Sequence, residues 1–229
     1  MALSTGLVSF IKCATNGNDS VGTFNFSSFG SPSFDGTWCG PLGGNNGLTI
    51  TSGPVQGTGD FTQSIIIKTP TTLTLSSNND LWSHSGDQDT CLIDTSGKLS
   101  WYHNNGSAGA YRITGTTTVT AGQAIHQATF TRSGQTATLY LDGVSQGTYT
   151  LSANFNFNQA QEKLGLHNNG TGENFVSGFV RYYTTWSRAL SPSEVAALWN
   201  NGNPVDPTQS ATGLNIPLIP STPSIPNIA

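Results

Sequence analysis

The sequence predicts an all-β protein, a two-sheet antiparallel sandwich closed by one short C-terminal helix and followed by an extended Pro-rich tail. Three observations carry that expectation. Short segments with two-residue alternation of apolar and polar side chains recur to about residue 187, separated by Gly, Asn and Ser clusters, the spacing of a sandwich or barrel. Helical periodicity is nearly absent before residue 190. At 229 residues the chain can bury a sizeable core as one domain without covalent staples.

In chain order, strands are expected at residues 48–51, 63–68, 71–75, 90–94 and 99–103, with a tight turn at Asp94-Thr-Ser-Gly97, where Asp accepts a local backbone bond and Gly supplies a left-handed position. In 124–132, His126, Ala128 and Phe130 fall on one face and Ile125, Gln127, Thr129 and Thr131 on the other. Ser133-Gly134 turns the chain. The next run sends Ala137, Leu139 and Leu141 inward and Thr136, Thr138 and Tyr140 outward, ending in Asp142-Gly143, a hairpin signal because both residues tolerate positive φ. Further strands are expected at 163–167 and 175–186.

The helix is marked by Ser191 as N-cap, Pro192 at the first helical position and Glu194 completing a capping box. Leu190 and Val195 are spaced for a hydrophobic staple, Val195, Leu198 and Trp199 form an apolar face, and Gly202 is the stop. Two units follow: a sandwich over 1–203 and an arm over 204–229, whose prolines favour extended polyproline-like chain. Leu214, Ile216, Leu218, Ile219, Ile225 and Ile228 make this arm more apolar than an ordinary linker and mark it as a partner-binding segment.

Charged residues are only 9% of the chain, and the net charge is -4 with eight Lys and Arg. No basic stripe could neutralise a run of phosphates, which argues against nucleic acid and against an anionic membrane surface. No apolar run approaches the ~20 residues of a membrane span, and the first residues lack the pattern of a signal peptide. Cys13, Cys39 and Cys91 are odd in number, so at least one thiol has no intrachain partner. Buried reduced thiols are the first expectation and a Cys13 to Cys39 bridge the second.

The segment Gly178-Phe-Val-Arg-Tyr-Tyr-Thr-Thr-Trp-Ser-Arg-Ala-Leu-Ser191 resembles the last strand and closing helix of laminin-G-like, concanavalin A-like jelly rolls. Residues 123–147 resemble that family's paired strands ending in a Leu-Tyr-Leu-Asp-Gly-Val turn, Leu164-Gly-Leu-His167 its Leu-x-Ile-Gly strand, and Gly6-Leu-Val-Ser9 with Asp19-Ser-Val-Gly22 its opening. The resemblance covers most of residues 5–202 and implies a jelly-roll sandwich. Where the family carries an acidic pair in the last strand, this chain has Arg181 and Tyr182.

Glycosidases of this architecture place paired carboxylates a few residues apart on one strand. The glutamates here, Glu162, Glu173 and Glu194, are scattered, so no catalytic residue is expected. Asp87 and Asp89, in Ser83-His-Ser-Gly-Asp-Gln-Asp89, are candidate oxygen ligands for calcium, the alternative being a solvated loop. His103, His126 and His167 show no paired metal spacing. Trp101, Tyr102, His103, Asn104, Asn105 and Tyr111 mix flat rings with amides and are the candidate glycan-binding set, the alternative being core aromatics.

From these features the expected function is a non-enzymatic virion structural protein, a phage capsid decoration (cement) protein held to neighbouring subunits by its arm, with fibre or tail placement next and possible glycan-binding capacity besides. Its partners would be protein subunits of a particle and surface polysaccharide, in a homo-oligomer located in the virion. The competing expectation is a carbohydrate-binding, lectin-like adhesion module of a phage fibre or of an extracellular or cell-surface bacterial protein.

Overall fold

A computed structural model describes residues 2–54, 56–84, 89–104, 110–152, 155–157, 161–167 and 174–209. Two antiparallel sheets face each other. One has the order β13-β12-β11-β6-β15-β4-β3, with β1 added to β15: Val144–Thr150, Thr136–Leu141, Ile125–Ser133, Phe61–Lys68, Phe179–Trp186, Cys39–Gly40, Ser33–Phe34 and Leu7–Lys12. We call it sheet A. Sheet B runs β10-β9-β8-β7-β14-β5-β2: Ala110–Thr118, Lys98–Asn104, Asp89–Ile93, Asn79–His84, Glu162–Leu164, Gly47–Ile50 and Ser27–Phe29.

Alternation along each strand puts one residue set between the sheets. Ile65 and Ile67 of β6, Trp82 of β7, Cys91 of β8, Phe130 of β11 and Leu139 of β12 belong to one buried cluster there. The second cluster lies on the outer face of sheet A, where helix α1 (Pro192–Trp199) packs Val195 and Leu198 with Leu190 onto Tyr140 and Trp186. β6 is buried along both faces from Phe61 to Ile67, the setting of a continuous apolar run such as Ile65-Ile66-Ile67.

The β11–β12 hairpin has the expected facing and turn, with Asp142 at φ 53° and Gly143 at φ 78°. The Asp94 turn forms through its carboxylate, which accepts from the Ser96 and Lys98 N–H groups. The capping box forms, with Ser191 accepting from the Glu194 N–H and Glu194 accepting from the Ser191 N–H.

Several expectations need correction. Residues 71–75 make no strand: after Pro70 the chain bends, and the Asn79 side chain, not a neighbouring strand, donates to the Thr74 carbonyl at 2.8 Å. The strand expected at 163–167 ends at Leu164 because Gly165 takes φ 73°. The one expected from 175 starts at Phe179, after Ser177 at φ 59°. Helix α1 stops at a left-handed Asn200, with Asn201 and Gly202 continuing that conformation. Trp199 is half-buried and flanks Gly143, outside the buried pair Val195 and Leu198. All three cysteines are buried and free, so the alternative Cys13 to Cys39 bridge is absent.

The expected boundary at 203/204 falls inside a segment that packs on the sandwich. The Val205 N–H donates to the Leu198 carbonyl at 3.1 Å, and Asp206 pairs with Lys12 at 2.7 Å. The apolar residues of the arm, Leu214, Ile216, Leu218, Ile219, Ile225 and Ile228, lie outside the described residues.

Candidate ligand-binding site

Strand parity divides the residues expected to grip a glycan. On β9, Leu99, Trp101 and His103 point between the sheets, and Tyr102 points outward between Arg112 of β10 and Thr90 of β8. Trp101 is 1% exposed, and its ring stacks on Phe130 at 4.4 Å. Trp101 and His103 therefore cannot form a sugar platform, because alternation turns them into the core and leaves Tyr102 on the outer face. Asn104 ends β9 and Tyr111 lies in β10 opposite His103, while Asn105 is outside the described residues.

What the inward set builds is a polar layer inside the sandwich. Glu162 of β14, His84 of β7, Asp89 of β8 and His103 of β9 come from four successive strands of sheet B, and sheet A supplies Gln63 and Tyr183. Glu162 Oε1 accepts from the Tyr183 hydroxyl and from Gln63 Nε2 at 3.3 Å, and lies 3.1 Å from His84 Nε2. His103 Nδ1 and Asp89 Oδ1 are 2.6 Å apart.

Burial opposes a charge on His84, but the Glu162 carboxylate, helped by Asp89, outweighs it and raises the histidine above its ordinary range. Burial, reinforced by the Glu162 charge, pushes the Tyr183 hydroxyl well above its usual value and keeps it a donor. The members of this layer hold one another between the sheets, which makes it a structural device before anything else.

Of the two residues of the calcium expectation, the structure describes one. Asp87 is outside the described residues, and Asp89 faces the interior with its carboxylate committed to His103. Among the described residues no group of three or more His, Cys, Asp or Glu could hold a metal ion. His126 and His167 each lie against a carboxylate, Asp142 at 2.7 Å and Asp80 at 2.6 Å.

The concave site lies elsewhere, between the start of α1 and the outer face of the β11–β12 hairpin. This groove has a volume of about 440 Å³, and its floor carries the hydroxyl side chains of Thr131, Ser133, Thr136, Thr138 and Tyr140. Among the described residues none of these five hydroxyls has a hydrogen-bond partner in the protein. Leu190 and Pro192 form an apolar wall. At the rim Arg188 and Glu194 pair at 2.8 Å, and that bond, with the N–H and hydroxyl of Ser191, pulls the Glu194 carboxyl down to about 2. The paired rim leaves a groove rich in uncharged donors and acceptors. Sequence reading placed both of its walls, the hairpin and the capped helix, but not their juxtaposition, which depends on how the turn at 187–190 folds the helix back over the sheet.

Two apposed antiparallel sheets with a closing helix and a shallow polar groove are the architecture of lectin-type β-sandwiches. The chain belongs to the concanavalin A-like lectin/glucanases superfamily, whose pattern residues 42–196 match. No curated protein matches the sequence. Among solved structures, it is similar to the binding domain of Paraclostridial Mosquitocidal Protein 1, at 17% identity and a TM-score of 0.69 over 86% of this chain and 52% of that one. It is also similar to the Trypanosoma rangeli sialidase in complex with sialic acid (16%, TM-score 0.66, 86% and 33%) and to the Botulinum Neurotoxin Type G receptor binding domain (12%, TM-score 0.65, 85% and 51%). The chain thus spans about half of the two toxin domains and a third of the sialidase. At these identities the similarity is one of fold.

Proposed function

We propose that this chain is a non-catalytic binding module that takes a neutral saccharide in the groove between α1 and the β11–β12 hairpin. The observation that carries this reading is the set of five hydroxyls, without partners in the protein, on the floor of a groove of about 440 Å³. Each hydroxyl both donates and accepts, which suits sugar hydroxyls, and the Leu190–Pro192 wall suits a C–H face. Toxin binding domains among the structural neighbours support a module of this class. The non-catalytic part is supported by the two described glutamates: Glu162 is sealed between the sheets, and Glu194 is bound to Arg188 and the helix start.

A glycan array with wild-type protein and a Thr131→Val, Thr138→Val double variant tests it. Retention of a neutral glycan that the double variant loses supports the groove, and an array without retention, or retention untouched by the variant, removes it.

A finer reading sets the module on a virus particle, as a phage capsid decoration protein, with the C-terminal arm as its tether. The rooted segment at Val205 and Asp206 favours it, since it starts the arm from a fixed point beside Leu198 and Lys12. Co-sedimentation of full-length protein with particles, lost on deleting 210–229, is the expected result, and equal co-sedimentation of both forms counts against the arm.

A further inference from the structure

The chain has eight Lys and Arg, and four of them are held by carboxylates or backbone carbonyls. Arg112 pairs with Asp94, Arg188 with Glu194 and Lys12 with Asp206, while Arg132 donates to the Gly134, Gly57 and Phe155 carbonyls. Lys68 and Arg181 differ. Among the described residues neither has a carboxylate within ion-pair distance, and both sit on the outer face of sheet A at the β6–β15 boundary.

Aromatic rings hold both. Lys68 Nζ lies 4.3 Å from the Phe179 ring centre and 4.9 Å from that of Trp38, and the Arg181 guanidinium lies 4.8 Å from the Tyr182 ring centre. Phe179 is paired directly with Lys68 across the ladder. Its ring lies against the β4 backbone, where a Cβ on Gly40 would come within 2.5 Å of it. A β-bulge between Val180 and Tyr182 then inserts Arg181 as an extra residue opposite β6, while the Arg181 carbonyl still accepts from the Cys13 N–H at 2.9 Å. Diagonal neighbours of this kind have side chains starting about 7–8 Å apart, within reach of one small anion for two long basic side chains.

We infer that Lys68 and Arg181, with the half-exposed faces of Phe179 and Tyr182, form a binding site for a carboxylated saccharide on the outer face of sheet A. The two cations take the carboxylate, and the rings take the C–H face of the sugar that bears it. The Lys68 charge also acts on the exposed Asp35, but the two form no ion pair, and the Asp35 carboxylate accepts from the Trp38 and Thr37 N–H groups. The site is separated from the α1 groove along β6: Thr131 of the groove pairs with Thr62, six residues before Lys68, about 20 Å at the rise of a strand. It deepens the saccharide-binding reading yet stands on different residues, so either can fail without the other.

The test applies full-length protein to an array in which every carboxylated glycan is paired with its methyl ester, which keeps the shape and removes the charge. The expected result is a carboxylated glycan bound at least about ten-fold more tightly than its ester, a preference abolished in a Lys68→Met, Arg181→Gln double variant and weakened steeply by salt. Lys68→Arg with Arg181→Lys, which keeps both charges, should retain it and shows that loss in the first variant is not misfolding. The groove variant Thr131→Val, Thr138→Val should retain it as well. No preference for any acid over its ester, or a preference that survives the charge-removing variant, overturns the inference.

Discussion

Replacing Glu162 with Leu tests whether a single carboxylate organises the polar layer inside the sandwich. Leucine roughly keeps the volume and removes the acceptor from three buried groups at once: the Tyr183 hydroxyl, Gln63 Nε2 and His84 Nε2. Each buried polar group left without a partner costs about 1–3 kcal/mol. The sum overstates the loss, because His84 can shed its proton and the Gln63 amide can turn, so the expected destabilisation is about 3–5 kcal/mol, the range for breaking a buried ion pair. The pH dependence gives the sign. The fold raises the His84 pKa above the ~6.5 of an unfolded chain, so its stabilising contribution is fully present below about pH 6.5 and is lost as pH rises through the folded value. Urea unfolding followed by tryptophan fluorescence from about pH 6 to pH 9 should show wild-type stability falling above pH 6.5 and a flatter profile in the variant, in a window where exposed carboxylates stay ionised. An unfolding free energy within about 1 kcal/mol of wild type at pH 6, or an equally steep fall above pH 6.5, would refute the reasoning.

Three further outcomes follow from the same geometry. Trp101→Ala should cost about 3–5 kcal/mol in chemical unfolding, because the ring fills the core against Phe130, whereas Tyr102→Ala one residue later should cost about 1 kcal/mol or less; equal losses would contradict the assigned strand facing. Gly40→Ala places a Cβ 2.5 Å from the Phe179 ring and 2.8 Å from the Gly178 carbonyl, so it should destabilise by about 1–3 kcal/mol and displace Phe179, read as a lower Tm together with weaker binding of any carboxylated glycan. Glu194→Gln should lower Tm at neutral pH by loosening the Arg188 bond and the helix cap; since the Glu194 pKa is depressed from 4.5 to about 2, the wild-type advantage should be present above about pH 4.5 and fade as pH falls toward 2, and a difference that persists at pH 2 would assign it to something other than ionisation.

The parts of the fold legible in the sequence were those written in local chemistry. Asp142-Gly143 could adopt two positive φ values, Ser191-Pro192-Ser193-Glu194 could satisfy a helix start, and the period-two facing of 125–141 required only the identity of alternate residues. Strand ends were less legible, because they turned on single backbone conformations. Leu164 looks able to continue through Leu166, yet Gly165 at φ 73° ends the strand there. Ser177 at φ 59° holds a conformation no composition rule assigns to serine. Strands β2, β3 and β4 are three, two and two residues long, too short to carry a period of their own, and exist because neighbours in the sheet pair with them.

The site was harder to read, for a reason that Trp101, Tyr102 and His103 make plain. Consecutive residues on a strand are neighbours in sequence and opposites in space, so a run of aromatic and amide residues that looks like one platform is divided between core and surface. The same rule assembles what the sequence scatters. Glu162 is far along the chain from His84, Asp89 and His103, and cross-strand register sets the four in one row. Thr131 and Thr138 become the groove floor only because they are directly paired on the outer face and α1 is folded back beside them. Lys68 and Arg181 become neighbours only through the pairing of β6 with β15 and one bulge. In a sandwich the unit of chemistry is therefore the row across strands, and a reading along the chain finds a binding site only where a loop carries it. The low charge of this chain sharpens the point: with so few ions on the surface, the cations without carboxylate partners are informative once register shows where they stand.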